Sequence, residues 1–152
     1  MSRCQMPPRE PVRSGQRVRN FLSGETMTFR RTSFESGGER IDLDLELRPL
    51  GAPGGFPHRH LPVERFQIKT GRLLVFIARR RPRLVGAGAL VEVPAGRWHY
   101  LLALRRARAS VVIEPGMRFD ELLVDWAAVG RGDLRPAVLR RLKPLLREHG
   151  CV

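Results

Sequence analysis

Three of the four histidines in this chain lie near a glutamate in an arrangement that could bind a metal. His58 and His60 are two residues apart, Glu64 begins an alternating segment, and His99 follows the turn Pro94-Ala95-Gly96. In an extended segment, residues two apart point to the same side at a spacing of about 7 Å. The imidazoles of His58 and His60 can therefore converge on one ion, and the Glu64 carboxylate can point inward beside them.

Each of these residues also has a simpler interpretation. His58 and His60 could be an exposed pair in a loop rich in glycine and proline. His99 could be a buried histidine bonded to a carbonyl, and Glu64 a charge at the edge of a strand. The fourth histidine, His149, is expected in solvent near a helix end, where a positive charge suits the helix dipole.

Short segments of strand periodicity surround these residues. Ile41 to Leu47 alternates leucine or isoleucine with acidic residues, which is typical of a strand with one face in a core and one in water. Similar patterns predict strands at 26–32, 64–69, 73–78, 90–93, 98–104 and 110–113. Arg79 to Arg83 is expected at the tip of a hairpin.

The periodicity changes after residue 116. Apolar residues at 119, 122, 123 and 126 predict a helix, and Asp133 is a plausible N-cap for a second helix that Pro144 should kink. The sequence therefore predicts an all-β domain, a jelly-roll-type β-barrel with two C-terminal α-helices. We expect a flexible basic leader at 1–18 that is dispensable for stability, the barrel at 19–115 and the helical extension at 116–149.

The segments 55–71 and 88–99 resemble the two motifs of the cupin superfamily, and the resemblance covers roughly residues 20 to 148. The first reads His-x-His, three residues, Glu, six residues, Gly; the second reads Gly, five residues, Pro-x-Gly, two residues, His. Two positions depart from the usual pattern, since Ala52 and Ala103 stand where glycine and asparagine are common. The resemblance implies a cupin-type barrel.

The resemblance also implies which residues form the site. It assigns one divalent transition metal to His58, His60, Glu64 and His99. Such a nitrogen and oxygen shell suits Fe(II), Mn(II), Ni(II), Cu(II) or Zn(II), and the sequence does not choose among them. Four further residues should line the pocket: Phe66, Ile68, Leu101 and Ala103.

The net charge of +13 invites an anionic partner, but no recognition helix or paired aromatic platform is evident. We therefore expect no specific nucleic-acid partner. No window approaches the roughly 18 apolar residues of a membrane helix, so no membrane partner is expected. Cys4 and Cys151 are too few for a disulfide scaffold, which favours free thiols and the cytoplasm. The exposed edge of an open jelly roll and the apolar pair Phe21-Leu22 favour a homodimer.

These features favour a metal-dependent enzyme that acts on a small organic molecule, as an oxygenase or an isomerase/cyclase, with an apolar compound preferred. The alternative is a cupin that binds a small ligand or a metal without turnover. No general acid or base is evident beyond the four ligands, which supports the alternative.

Overall fold

In the computed structural model, which describes residues 9–151, two antiparallel sheets pack around one apolar core. The six-stranded sheet has the order β1-β2-β3-β9-β4-β7, and the three-stranded sheet has the order β6-β5-β8. The strands are β1 (Arg17–Asn20), β2 (Glu25–Arg31), β3 (Ile41–Leu47), β4 (Val63–Thr70), β5 (Arg72–Ile77), β6 (Arg83–Gly86), β7 (Leu90–Val93), β8 (His99–Ala103) and β9 (Ala107–Glu114).

The alternation along β3 explains how the large sheet faces the core. Every second residue from Ile41 to Leu47 is buried, and the acidic residues between them lie on the outer face. β3 pairs with β2 on one side and β9 on the other, with Leu43 opposite both Phe29 and Val111. These residues form a continuous inner layer, as expected for one wall of a jelly roll.

Within residues 9–151, three helices complete the fold: α1 (Ser33–Ser36), α2 (Phe119–Gly130) and α3 (Pro136–Glu148). The predicted jelly-roll fold with two C-terminal helices is confirmed, although the two sheets do not form one closed ring of strands. Asp133 is not the N-cap of α3, which was an incorrect prediction. Its carboxylate instead accepts hydrogen bonds from the backbone and guanidinium of Arg135, one residue before the helix begins.

Residues 9–18 differ from the predicted flexible leader. Val12 is buried, the Arg9 guanidinium lies 2.7 Å from the buried carboxylate of Asp125, and Arg17 already begins β1. This part of the predicted leader is a packed segment, because Val12 is buried in the core and Arg9 forms an ion pair with Asp125 of α2. Residues 1–8 of that leader, including Cys4, lie outside the described residues.

Two edge strands, β1 and β6, have no counterpart among the predicted strands. The arginine-rich turn between β5 and β6 is at the predicted hairpin position. Among residues 9–151, no helix is both long and apolar enough to cross a membrane. In the described part of the chain Cys151 forms no disulfide, and burial raises the pKa of its thiol to about 11.

Candidate metal centre

Backbone pairing brings the two histidine segments together. His58 and His99 form an antiparallel bridge, in which each backbone N–H donates to the other's carbonyl at 3.1 and 2.9 Å. The carbonyl of His60 accepts from Gly96 N at 2.7 Å. The turn before β8 is therefore tied to the loop before β4, and Glu64 lies one residue inside β4.

The three imidazoles form a compact cluster. One ring nitrogen of each of His58, His60 and His99 lies within 4.8 Å of those of the other two, a spacing at which one ion can contact all three. The ring centroids of His58 and His60 lie 4.4 and 4.8 Å from that of His99. His60 and His99 are buried, and His58 is partly exposed.

Hydrogen bonds fix which nitrogen faces the centre of the cluster. Nδ1 of each ring lies 2.8 Å from a backbone carbonyl, that of Phe56 for His58, Pro62 for His60 and Arg97 for His99. A carbonyl only accepts, so each Nδ1 carries the proton and each neutral ring has its lone pair on Nε2. This arrangement, with the second nitrogen held by a backbone carbonyl, is the usual one for histidines that bind metals.

Two of these Nε2 atoms face the Glu64 carboxylate without forming a well-oriented hydrogen bond to it. Nε2 of His60 and of His99 is buried and makes no hydrogen bond within residues 9–151. A buried polar atom without a partner costs stability, so native proteins seldom leave one without a reason. A bound cation would satisfy both atoms, and the residues present therefore fit a divalent transition metal.

Glu64 supplies the negative charge of the cluster. Its Oε2 lies 3.3 Å from Nε2 of His60 and 3.9 Å from Nε2 of His99. Burial alone would raise the pKa of Glu64, but the facing histidines outweigh burial and lower it to about 2. The carboxylate is thus ionised, as a metal ligand must be.

The histidine pKa values follow from burial and from this carboxylate. Burial lowers the pKa of His58, and it lowers that of His99 to about 4. Burial also opposes charge on His60, but its proximity to Glu64 outweighs this and raises its pKa. His60 is therefore the ring that takes up a proton first.

A small cavity of about 40 Å³ lies beside this cluster. His58 and Glu64 form part of its wall, together with apolar residues of the large sheet and of α2. Phe66, which was predicted to line the pocket, is in this wall, whereas Ile68, Leu101 and Ala103 are buried in the core and are not. Such a volume admits one or a few water molecules. In this conformation, the cavity is therefore too small for the larger apolar compound that the sequence favoured.

Glu25 is a second buried carboxyl group at this cavity, and the sequence analysis did not identify it. It points inward from the first residue of β2 and is 3% exposed. Its Oε1 accepts hydrogen bonds from Ser23 Oγ at 2.9 Å and from Gly54 N at 3.2 Å. Burial raises the pKa of Glu25 to about 7. The sequence feature that could have identified Glu25 is its spacing: it lies two residues before Met27 and four before Phe29, and so shares their inward face of the strand.

Helix α2 packs against His60 and against the loop that precedes His58. The Phe119 ring lies 4.9 Å from the His60 ring, and Trp126 Nε1 donates to the carbonyl of Gly54 at 3.1 Å. Gly54 has a φ of 76°, and a Cβ there would lie 2.7 Å from Cε1 of His58. A side chain at this position would be strained and would crowd the His58 ring, which favours glycine where Trp126 of α2 bonds the loop.

The prediction that His149 lies in solvent is wrong. The residue is fully buried, its Nδ1 lies 2.7 Å from the carbonyl of Leu145, and its Nε2 accepts from Arg118 N at 3.2 Å. Its ring stacks edge-on against Phe119 at 5.3 Å. His149 thus supports the aromatic residue that covers His60, because α3 folds back against α2.

Comparison with known proteins gives matches only among solved structures. No protein-family model and no curated protein sequence matches this chain. An RmlC-like cupin from Shewanella frigidimarina NCIMB 400 aligns with a TM-score of 0.56 at 12% identity, over 73% of this chain and 95% of that one. This chain has the cupin fold.

Other cupin-fold structures align with comparable TM-scores. A protein described as a predicted oxalate decarboxylase from Thermotoga maritima has a TM-score of 0.55 and 18% identity, over 68% of this chain and 96% of that one. An oxalate oxidase has a TM-score of 0.52 and 22% identity, over 62% of this chain. This chain spans about half of that oxidase, 53% of its length. The resemblance drawn from the two motifs is thus confirmed at the level of the fold.

Proposed function

We propose that this cupin-fold chain is a metal-dependent enzyme acting on a small organic molecule, as an oxygenase or an isomerase/cyclase. One divalent transition ion would be held by His58, His60, Glu64 and His99. The observation that carries the proposal is that the buried Nε2 atoms of His60 and His99 face one ionised carboxylate but make no hydrogen bond within residues 9–151. When bound, such an ion polarises a carbonyl or enolate oxygen or activates dioxygen.

The remaining chemistry is assigned to the chain's own groups. Carbonyls of Phe56, Pro62 and Arg97 hold the three imidazoles with Nε2 toward the ion. Glu25 reaches the same cavity from β2 of the same sheet, and with a pKa of about 7 it can hold or release a proton near neutral pH. Phe119 and Leu123 exclude water from the apolar side of the cavity.

The size of the cavity favours a second candidate function, a metal-binding module without turnover. About 40 Å³ admits water or dioxygen, and a larger substrate would require α2 to move. The two candidates share the metal site and differ in whether a substrate is converted.

The experiment combines metal analysis with an activity screen. Wild type and His99→Ala protein are reconstituted with Fe(II), Mn(II), Ni(II), Cu(II) and Zn(II), and dialysed. We expect about one ion per wild-type chain and loss of most of it in the variant, because an incomplete shell binds weakly. Equal, substoichiometric metal in both proteins would refute the metal site. Oxygen consumption or product formation that Glu25→Gln abolishes supports the enzyme, and full metal loading without turnover supports the binding module.

We also propose that the protein is a homodimer that uses the edge of the large sheet. β1 is the outer strand of that sheet, and Phe21 and Leu22 in the following turn are 55% and 79% exposed. Although Arg131 donates to the carbonyl of Arg19 at 2.7 Å, β1 has no strand partner on its outer side within residues 9–151, and a strand edge with nearby apolar side chains can pair with a second copy. Light scattering should give twice the chain mass, and a monomer mass at micromolar concentration would contradict the proposal.

A further inference from the structure

The two sheets differ in the residues that they expose. The outer face of the large sheet is polar, as expected for an antiparallel sheet with one side in water; it carries Thr26, Thr28, Asp42, Asp44, Glu46, Gln67 and Ser110. The outer face of the small sheet is apolar along its middle and at both ends. Its members, here named the apolar face, are Leu74, Phe76, Leu84, Trp98, Tyr100, Leu102 and Leu104.

These side chains form one patch. Leu74 lies opposite Leu84 on one neighbouring strand and Leu102 on the other, and the Phe76 ring lies 6.3 Å from that of Tyr100. The four most exposed members are Phe76 at 39%, Leu84 at 53%, Trp98 at 51% and Leu104 at 40%. Contiguous exposed apolar surface of this kind marks an interaction site more often than chance.

The charges around the apolar face are all positive. Its rim consists of Arg59, Arg72, Arg79, Arg80, Arg81, Arg83, Arg97 and Arg105, and none of them pairs with a carboxylate within residues 9–151. From residue 72 to residue 106 the only acidic residue is Glu92, which lies on β7 in the other sheet. Arginines elsewhere do have partners, such as Arg30 with Asp44 at 2.6 Å.

This charge distribution indicates what kind of partner fits. A second copy of the same face would bring only more arginine to the rim. A single nucleic-acid strand would stack on the three aromatic rings but would leave the four leucines without a role. The arginines stand at both ends of the strands and beside Trp98, where Arg59 lies 5.6 Å from the ring. A rim of this extent suits an evenly charged anionic surface better than a partner with a few acidic residues.

We propose that the apolar face lies against an anionic lipid surface. Trp98 and Tyr100 occupy the headgroup region, where amphipathic aromatic rings are favoured, and the leucines and Phe76 contact the acyl boundary. The rim arginines bind lipid phosphates. This adsorption differs from the sequence-based expectation of no membrane partner, because that expectation followed from the absence of a spanning segment.

The test is sedimentation of the full chain with vesicles of phosphatidylglycerol and phosphatidylcholine, and with phosphatidylcholine alone. We expect binding only to the anionic vesicles, and weaker binding as salt is raised. The triple variant Arg79→Gln, Arg80→Gln, Arg81→Gln should bind roughly 100-fold more weakly. A triple variant at Arg13, Arg31 and Arg140, also to Gln, removes the same charge from exposed arginines elsewhere and should lose less than about tenfold.

Two variants that each remove one exposed aromatic side chain test the apolar face itself. Trp98→Ala should weaken vesicle binding about tenfold, whereas Phe34→Ala, which removes a side chain 73% exposed on α1, should not change it. The proposal is overturned if wild type stays in solution with anionic vesicles, or if both triple variants bind equally. It is also overturned if Trp98→Ala abolishes self-association without lipid, which would assign the face to a second copy. Tighter binding to oligothymidylate or polyglutamate than to vesicles would assign it to a nucleic acid or an acidic protein.

Discussion

Replacing Glu25 with glutamine should stabilise the metal-free protein at neutral and alkaline pH. The side chain is buried at the cavity, and burial raises its pKa from 4.5 to about 7. The folded state therefore holds the proton of Glu25 more tightly than the unfolded state does. The free energy of unfolding that tighter binding of this proton contributes is fully present below pH 4.5. It declines as the pH rises and is lost above about pH 7.

The expected gain in stability follows from the size of the pKa shift at Glu25. A rise from 4.5 to about 7, at about 1.36 kcal/mol per pH unit, amounts to about 3 kcal/mol. Glutamine keeps an oxygen that can accept from Ser23 Oγ and Gly54 N but has no charge to bury. At pH 8 the variant should melt roughly 6–12 °C above wild type, and at pH 4 the two should melt together.

The assay is thermal unfolding at several pH values in the presence of a chelator, followed by circular dichroism. Glu10→Gln, at an exposed carboxylate, is the control and should shift the melting temperature little at any pH. If Glu25→Gln is less stable than wild type at pH 8, the carboxylate is ionised and stabilising in the folded state. Burial would then not dominate the pKa of Glu25, and Glu25 would not be a proton carrier near neutral pH.

Three further predictions concern the site and its supports. Metal affinity should fall as the pH is lowered, because protons and the ion compete for the Nε2 lone pairs of the histidines, and the raised pKa of metal-free His60 makes this ring the first to compete; titrations with a metal indicator at several pH values measure this. His149→Ala should cost roughly 2–4 kcal/mol in urea unfolding while the metal content stays the same, since the buried ring packs and hydrogen-bonds without touching the cluster. Arg9→Ala should cost roughly 1–3 kcal/mol, because it removes the 2.7 Å partner of the buried Asp125 and leaves Arg141, at 3.4 Å, to compensate its charge; an unchanged unfolding curve would restore the expectation of a dispensable leader.

The strands that carry the site could be predicted because their alternation is regular. Ile41 to Leu47 needs no tertiary information, since each apolar residue faces the core and each acidic one faces water. The spacing of His58 and His60 likewise depends only on an extended backbone. β6 could not be found in this way, because its apolar Leu84 is on the exposed side and its four residues show no alternation.

The residues that were misjudged depend on contacts between distant segments. His149 stands at the end of a helix rich in arginine, and only the return of α3 onto α2 buries it. Arg9 is one of many arginines in the sequence, and its ion pair with Asp125 spans more than a hundred residues. Glu25 begins a strand whose inward face is otherwise apolar, and a lone carboxyl at a strand end is usually solvated.

These distant contacts make the C-terminal helices part of the candidate metal centre. Phe119 lies between the rings of His60 and His149, and it also forms part of the cavity wall. Trp126 supports the other candidate ligand, His58, indirectly. The Phe56 ring lies 5.6 Å from the Trp126 ring and 6.2 Å from the His58 ring. Each histidine of the first motif is thus backed by an aromatic residue in contact with α2. Because Phe119 and Leu123 of α2 form part of the cavity wall, the helix borders the space beside the ion that the histidines would hold.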